Sequence, residues 1–163
     1  MSNLDDGNDV LACDRTGWDS GPWDGEPDKL VWKTEAGLPG MIARNRLGAL
    51  CGYVAVTREH PLYGADRPDV EVHGGLTYAN ACSGNICHVP EPGEPDDVWW
   101  FGFDCNHGGD YAPSTAAWGK RIGAALRRLD RETYRDIGYV RAEVELLAVQ
   151  LAGPLEKSDG GKE

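Results

Sequence analysis

The sequence predicts an α+β fold in which a small, mainly antiparallel sheet packs against one or two C-terminal helices. Apolar residues in the first two thirds form short runs rich in β-formers, and those in the last third recur at three- and four-residue steps. Strands followed by helices are typical of this class. The 163 residues suit one domain, which we expect over 29–153 after a flexible acidic arm at 1–28 and before a disordered tail at 154–163.

Strands are predicted where β-branched and aromatic residues cluster. Residues 30–34 and 50–56 are rich in them. Residues 70–72 and 98–103 each alternate apolar and other side chains and lead into a segment that contains histidine, so both segments are expected to follow strands. Residues 80–97 contain three prolines and two glycines without a period, which indicates a long loop.

The last third of the chain is predicted to be helical and to face a core. The first apolar stripe comprises Trp118, Ile122, Ala125, Leu126 and Leu129, and the second comprises Tyr134, Ile137, Val140, Val144, Leu147 and Leu151. Gly153 followed by Pro154 is a typical helix stop.

Charge and hydropathy exclude several classes of partner. A net charge of -11 argues against binding to long nucleic acid, which needs clustered basic residues. No apolar run approaches the roughly 20 residues that span a bilayer, and the N-terminus lacks a secretion signal, so we expect a cytoplasmic protein without a membrane partner. Trp18 and Trp23 are expected either to pack on the domain or to cover a ligand.

Five cysteines in such a protein are expected to be thiols or ligands rather than a disulfide framework. Cys82, Cys87 and Cys105, with the neighbouring His88 and His107, have the ingredients of a zinc site but no standard zinc spacing. The primary expectation is therefore a site without a metal or other cofactor, with zinc or magnesium as the alternative.

The first candidate site segment is His73-Gly74-Gly75-Leu76-Thr77. Two successive glycines allow the backbone to approach a ligand and to direct N–H groups at an anion. Thr77 adds a hydroxyl, and His73 adds an imidazole that can hydrogen-bond or bind a metal. A simple tight turn is the alternative.

The second segment runs from Asp104 through Cys105 and His107 to Asp110. These ionisable groups could hold a metal, act as general acid and base, or bind ribose hydroxyls. A network of Asx turns is the structural alternative. By strand parity with Asp104, Trp100 is expected near the site as a stacking face for a base. Arg44 is a candidate phosphate clamp and Tyr63 a candidate stacking residue.

Several motifs resemble an uncharacterised family of short proteins found largely in bacteriophages and their actinobacterial hosts. They are CGYV at 51–54, HPLYG at 60–64, VHGGLTY at 72–78, WWFGFDCxHxGD at 99–110 and YVxxE at 139–143. The resemblance covers residues 39–151 and implies a phage setting, in the cytoplasm of a bacterial host. The resemblance implies no activity and assigns no role to any residue.

Three functions follow as hypotheses. The first is a protein that counters host defence by sequestering a small anionic, nucleotide-derived signal of the cyclic nucleotide or ADP-ribose type, with pockets that a homo-oligomer could share between subunits. Gly74, Gly75 and Thr77 would bind its phosphate, Trp100 its base, and His73, Asp104, His107 and Asp110 its polar rim. The second is a metal-dependent phosphodiesterase that uses the same four ionisable residues. The third is an interaction protein whose acidic arm inhibits a host enzyme.

Overall fold

The described residues form one antiparallel sheet of five strands in the order β1-β2-β3-β5-β4, together with two α-helices. We describe it from a computed structural model, which covers residues 14–122 and 132–153. The strands are β1 (Lys29–Lys33), β2 (Pro39–Arg44), β3 (Leu50–Val56), β4 (Tyr78–Ala81) and β5 (Trp99–Asp104), and the helices are α1 (Pro113–Ile122) and α2 (Ile137–Ala152). The predicted α+β class is confirmed.

Three of the strands lie where the sequence predicts them, namely β1, β3 and β5. Strand β2 was not expected, because Met41, Ile42 and Ala43 are all buried and no apolar alternation marks the strand. Strand β4 includes the first two residues of the region 80–97, which was expected to be a loop. The connection between β4 and β5 is therefore residues 82–98.

The strand predicted at 70–72 does not form. The backbone N–H of Glu71 donates to Gln150 Oε1 at 2.7 Å, and that of His73 donates to Glu143 Oε1 at 2.9 Å. Side chains of α2 thus take the place of a neighbouring strand. As a result His73 lies in a turn before β4, which corrects the expectation that it follows a strand.

One face of the sheet packs against α2. Val140, Val144 and Leu147 of the helix are fully buried and form a core with strand residues such as Phe103. Gly52 in β3 permits the close approach, because a Cβ there would lie 2.5 Å from Phe103 Cζ and 2.7 Å from Val144 Cγ2. The predicted apolar stripe of this helix and its end at Gly153 are confirmed.

The structure describes only part of the first predicted apolar stripe, which begins at Trp118. Trp118 of α1 is 55% exposed, so it does not face the core as expected, whereas the smaller Ala116 is buried. Residues 125, 126 and 129 lie outside the described residues. Tyr134 precedes α2, which begins after its N-cap Asp136.

The second face of the sheet has its own core, which includes Met41, Tyr53 and Trp100. The connection at 82–98, which we call the covering loop, packs on this core through Cys82 and Ile86 and places His88 with its ring centroid 5.2 Å from that of Trp100.

A disulfide joins Cys82 to Cys87 at the start of the covering loop. Ser83 and Ile86 exchange backbone hydrogen bonds in the turn between them, which brings the two cysteine Cα atoms to 4.6 Å, within disulfide range. The expectation of thiols or ligands is therefore wrong for this pair. Cys51 and Cys105 are free and buried, and Cys13 lies outside the described residues.

Residues 14–28, which belong to the expected flexible arm, lie against the domain. Trp23 is 5% exposed and stacks on Tyr111 with ring centroids 5.6 Å apart, while Trp18 Nε1 donates to Ser114 Oγ at 2.9 Å. Aromatic burial accounts for this order in a segment otherwise rich in acidic residues and glycine. Residues 1–13 and the expected tail at 154–163 lie outside the described residues.

Neither helix within residues 14–122 and 132–153 has the length and hydropathy that a membrane-spanning segment needs.

Candidate functional site

The two histidine segments meet at one edge of the sheet. Strands β4 and β5 are antiparallel, so the turn that precedes β4 lies beside the turn that follows β5. The ring centroids of His73 and His107 are 6.0 Å apart. This arrangement brings together the two segments that the sequence singled out.

Gly74 is what allows the two rings to approach. Its φ is +70°, and a Cβ at this position would lie 2.2 Å from Cε1 of His107. The adjacent Gly75 also has positive φ, but its added Cβ would meet open space. The Gly75 N–H donates to Val72 O at 2.8 Å. It is therefore not available to a phosphate, contrary to the expectation from the sequence.

Asp110 occupies the centre of the site. Its side chain is 2% exposed, and Oδ2 lies 2.9 Å from His73 Nε2. Oδ2 also accepts the backbone N–H of His107 at 3.0 Å, while Oδ1 accepts Arg135 Nε at 2.9 Å. Burial favours a raised pKa for this carboxyl, but the hydrogen bonds from His73, the His107 backbone and Arg135 outweigh it and hold the pKa below its usual value.

The first turns of α2 orient His73. Tyr139 Oη lies 2.8 Å from His73 Nδ1, opposite the nitrogen that faces Asp110. Glu143, one turn further along, accepts the backbone N–H of His73. The guanidinium carbon of Arg135, just before the helix, lies 4.9 Å from the Tyr139 ring centroid.

A backbone bridge fixes Arg135 relative to Asp110. Tyr111 N–H donates to Thr133 O, and Thr133 N–H donates to Gly109 O, both at 2.8 Å. These bonds form a short parallel bridge between Asp110 and Thr133. The second histidine segment is therefore joined through main chain to the segment that leads into α2.

His73, His107 and Asp110 form a group that could hold a metal ion. One ligand atom from each lies within 4.8 Å of the others. His73 Nε2 and His107 Nδ1 lie 2.9 and 3.7 Å from Asp110 Oδ2. Tetrahedral zinc, with bonds of about 2.0–2.1 Å, holds its ligands roughly 3.3 Å apart, between these two distances.

The chemistry of this donor set favours zinc over magnesium. Two imidazoles and one carboxylate suit zinc and other first-row transition ions, whereas magnesium prefers oxygen ligands alone. His107 Nδ1 is buried and makes no hydrogen bond within the described residues, although Asp104 Oδ1 is 3.4 Å away. A metal ion would give this nitrogen a partner.

Asp104 and Thr77 form the more open side of the site. Asp104 is half-buried, and its Oδ2 accepts the hydroxyl of the exposed Thr77 at 3.2 Å. Its Oδ1 accepts the backbone N–H of Asn106 at 3.1 Å. A carboxylate that points towards His107 is thus held next to the possible metal position.

Three expected ligand-binding residues make their contacts elsewhere. Trp100 is fully buried on the second face of the sheet. The Arg44 guanidinium is buried and bonded to Asp28, Glu26, Tyr134, Gly48 and Pro27. Tyr63 packs near Trp99 and Arg58. Their sequence signals reflect packing, so the structure corrects the expectation that they join the histidines.

The cysteines that were the alternative candidates for zinc ligands are not brought together either. Cys82 and Cys87 are bonded to each other, and Cys105 is buried in the core beneath α2. Burial raises the pKa of the Cys105 thiol well above its usual value, which disfavours the thiolate that a metal requires.

Sequence reasoning did not select Arg135, Tyr139 or Glu143 for the site. Tyr139 and Glu143 belong to the YVxxE motif at 139–143, and their spacing of four residues places both on one helix face, which could have identified them. Nothing in the sequence pattern distinguishes Arg135 from the other basic residues.

Comparison with protein families, with curated proteins and with solved structures found no match to this chain.

Proposed function

We propose that this protein is a zinc-dependent hydrolase whose metal is held by His73, His107 and Asp110. The observation that carries the proposal is the convergence of these three side chains within ligand distance of one another. Catalytic zinc sites typically have three protein ligands and leave one position for water or substrate. The number of ligands here matches that pattern.

The residues around the three ligands support the same assignment. Metal-bound histidines usually donate their second ring N–H to a fixed partner, and Tyr139 Oη is placed to receive it from His73 Nδ1. The second oxygen of Asp110 is held by Arg135. His73 and Asp110 would therefore keep their orientation when a metal binds.

Asp104 is the candidate general base. When bound, zinc would act as a Lewis acid and lower the pKa of a water molecule to about 7. Asp104 lies next to His107 on the more open side, where it is placed to accept a proton from such a water. Thr77 and the Asn106 N–H fix the orientation of this carboxylate.

Sequestration of a nucleotide signal has less support. That hypothesis assigned the base to Trp100 and the phosphate to Gly74, Gly75 and Thr77, with Arg44 as a further candidate clamp. The contacts of Trp100, Arg44 and the Gly75 N–H lie within the protein. The phage setting and a role against host defence remain predictions based on the resemblance.

Zinc titration of the metal-free protein tests the proposal directly. We expect one zinc ion per chain by isothermal titration calorimetry, and His73→Gln or His107→Gln should weaken the affinity about 100-fold or more, because each removes a ligand. His60→Gln is the matched control, since His60 bonds to Leu151 O at the opposite end of α2. Absence of zinc binding, or equal affinity in all variants, would refute the proposal.

Turnover separates a hydrolase from a binding protein. The zinc-loaded protein should hydrolyse chromogenic esters, and Asp104→Asn should lower kcat by about 10²–10⁴-fold while it retains zinc. Zinc binding without turnover of carboxylic or phosphoric esters, together with recovery of intact nucleotides from the protein, would favour sequestration instead.

A further inference from the structure

Arg135 has hydrogen-bond donors that its contacts within the described residues leave unpaired. Its Nε donates to Asp110, while its terminal amino groups make no hydrogen bond to any residue in 14–122 or 132–153. The side chain is 27% exposed. The Tyr139 ring and the Asp110 carboxylate hold the guanidinium in place, so an incoming anion would meet a preorganised donor.

Arg135 shares Asp110 with the proposed metal position. Asp110 Oδ1 accepts Arg135 Nε and lies 3.1 Å from His73 Nε2, while Oδ2 lies 2.9 Å from His73 Nε2 and 3.7 Å from His107 Nδ1. A ligand with two oxygens on one atom could therefore contact the metal with one oxygen and the guanidinium with the other. Phosphate groups have this geometry, and arginine binds them through its planar set of donors.

The charges around the site distinguish between classes of phosphate ester. Asp104, Asp110 and Glu143 lie around the histidine pair and contribute three negative charges. A zinc ion and Arg135 contribute three positive charges. With neutral histidines the loaded site is close to neutral, which favours a singly charged phosphodiester over a doubly charged phosphomonoester, whose second charge would face Asp104.

We propose that Arg135 binds a non-bridging oxygen of a phosphodiester substrate, which makes the protein a phosphodiesterase. This inference rests on the proposed zinc site. In the reaction the water oxygen forms a bond to phosphorus as one ester P–O bond breaks. One water proton passes to Asp104, which then gives it to the departing alkoxide and returns to the carboxylate form, so that the products are a phosphomonoester and an alcohol.

Binding of two simple probes, diphenyl phosphate and phenyl phosphate, tests this inference without a known substrate. With zinc at saturation for each variant, calorimetry should show that the wild type binds the diester more tightly than the monoester. Arg135→Gln should weaken diester binding about 10- to 100-fold, as expected for loss of hydrogen bonds to a charged group. Arg135→Lys should recover part of the affinity, because it restores the charge without the planar donors.

Arg141→Gln is the matched control, because Arg141 lies on α2 but its guanidinium carbon is 4.4 Å from the ring centroid of Trp32. It should bind both probes like the wild type. Unchanged diester binding in Arg135→Gln, an equal loss in Arg141→Gln, or tighter binding of the monoester would overturn the inference while the zinc site stands. If the wild type fails to bind zinc, the proposed function fails first, and the titration identifies that outcome.

Discussion

At the scale of single residues, Gly74 and Gly75 are adjacent and both adopt positive φ, but they have different roles. Gly74 leaves room for the His107 ring, whereas Gly75 completes a turn whose outer side is open. Left-handed backbone favours glycine at both positions. Only the first glycine controls the distance between the two histidines.

We predict that Gly74→Ala abolishes high-affinity zinc binding, because the new methyl group would displace the His107 ring by steric overlap. Gly75→Ala is the control for backbone strain alone. It should cost stability, about 1 kcal/mol, and retain zinc affinity. Calorimetric zinc titration and urea unfolding of both variants provide the measurement. Similar zinc affinities in the two variants would show that the ring contact at Gly74 is unimportant.

At the scale of elements, the covering loop holds a histidine in an apolar setting. Burial lowers the pKa of His88, an effect that Glu94 and Asp96 oppose and Lys29 reinforces. The ring packs edge-on against Trp100, and its Nδ1 is buried without a hydrogen-bond partner among the described residues. The loop is therefore best packed when His88 is neutral.

This arrangement predicts a pH-dependent stability. Because the folded pKa of His88 lies below its unfolded value of about 6.5, the unfolded chain binds more protons between the two values. The contribution of neutral His88 is present above about pH 6.5 and is lost as the pH falls through the folded pKa. The melting temperature of the wild type should therefore fall more steeply than that of His88→Phe between about pH 7.5 and 5.5. Parallel curves would contradict this prediction.

The elements also show how far sequence reasoning reaches. Strands β1, β3 and β5 were predictable because their aromatic and β-branched residues suit a sheet. The alternation at 70–72 was misleading because Val70 and Val72 do pack on the core, while the backbone of the segment bonds to α2 rather than to a strand. A local pattern reports which side chains are buried but not which element the backbone meets.

The candidate site was predictable to a similar extent. Glycines and ionisable groups identified His73, His107 and Asp110, since few turns need so many of them. Trp100 was placed near the site because it shares strand parity with Asp104, but parity fixes only the face of the sheet and not the position along it. Arg135 was not predictable, because its role depends on a contact with Asp110 that only the tertiary fold creates.

At the scale of the whole molecule, residues 14–28 connect the sheet to the start of α2. Asp28 and Glu26 pair with the buried Arg44, and Glu26 also accepts the backbone N–H of Ile137. Deleting residues 1–28 would remove these contacts together with the acidic charge. Neutral substitutions of exposed acidic residues are therefore a cleaner test of the hypothesis that the arm inhibits a host enzyme.

We predict that Trp23→Ala lowers the free energy of unfolding by about 3–5 kcal/mol, as is usual for a buried tryptophan. Trp118→Ala is the matched control because Trp118 is mostly exposed, and it should change the stability by about 0.5 kcal/mol or less. Urea unfolding followed by circular dichroism measures both. If the two variants lose equal stability, the packing of residues 14–28 does not contribute to the fold.

The bridge between Asp110 and Thr133 closes a loop in the chain at its base. Because Gly109, Tyr111 and Thr133 are fastened by backbone bonds, the geometry between Asp110 and Arg135 does not depend on the number of residues in the intervening stretch. The position of Arg135 beside Asp110 is therefore set by these main-chain bonds and would be lost with them.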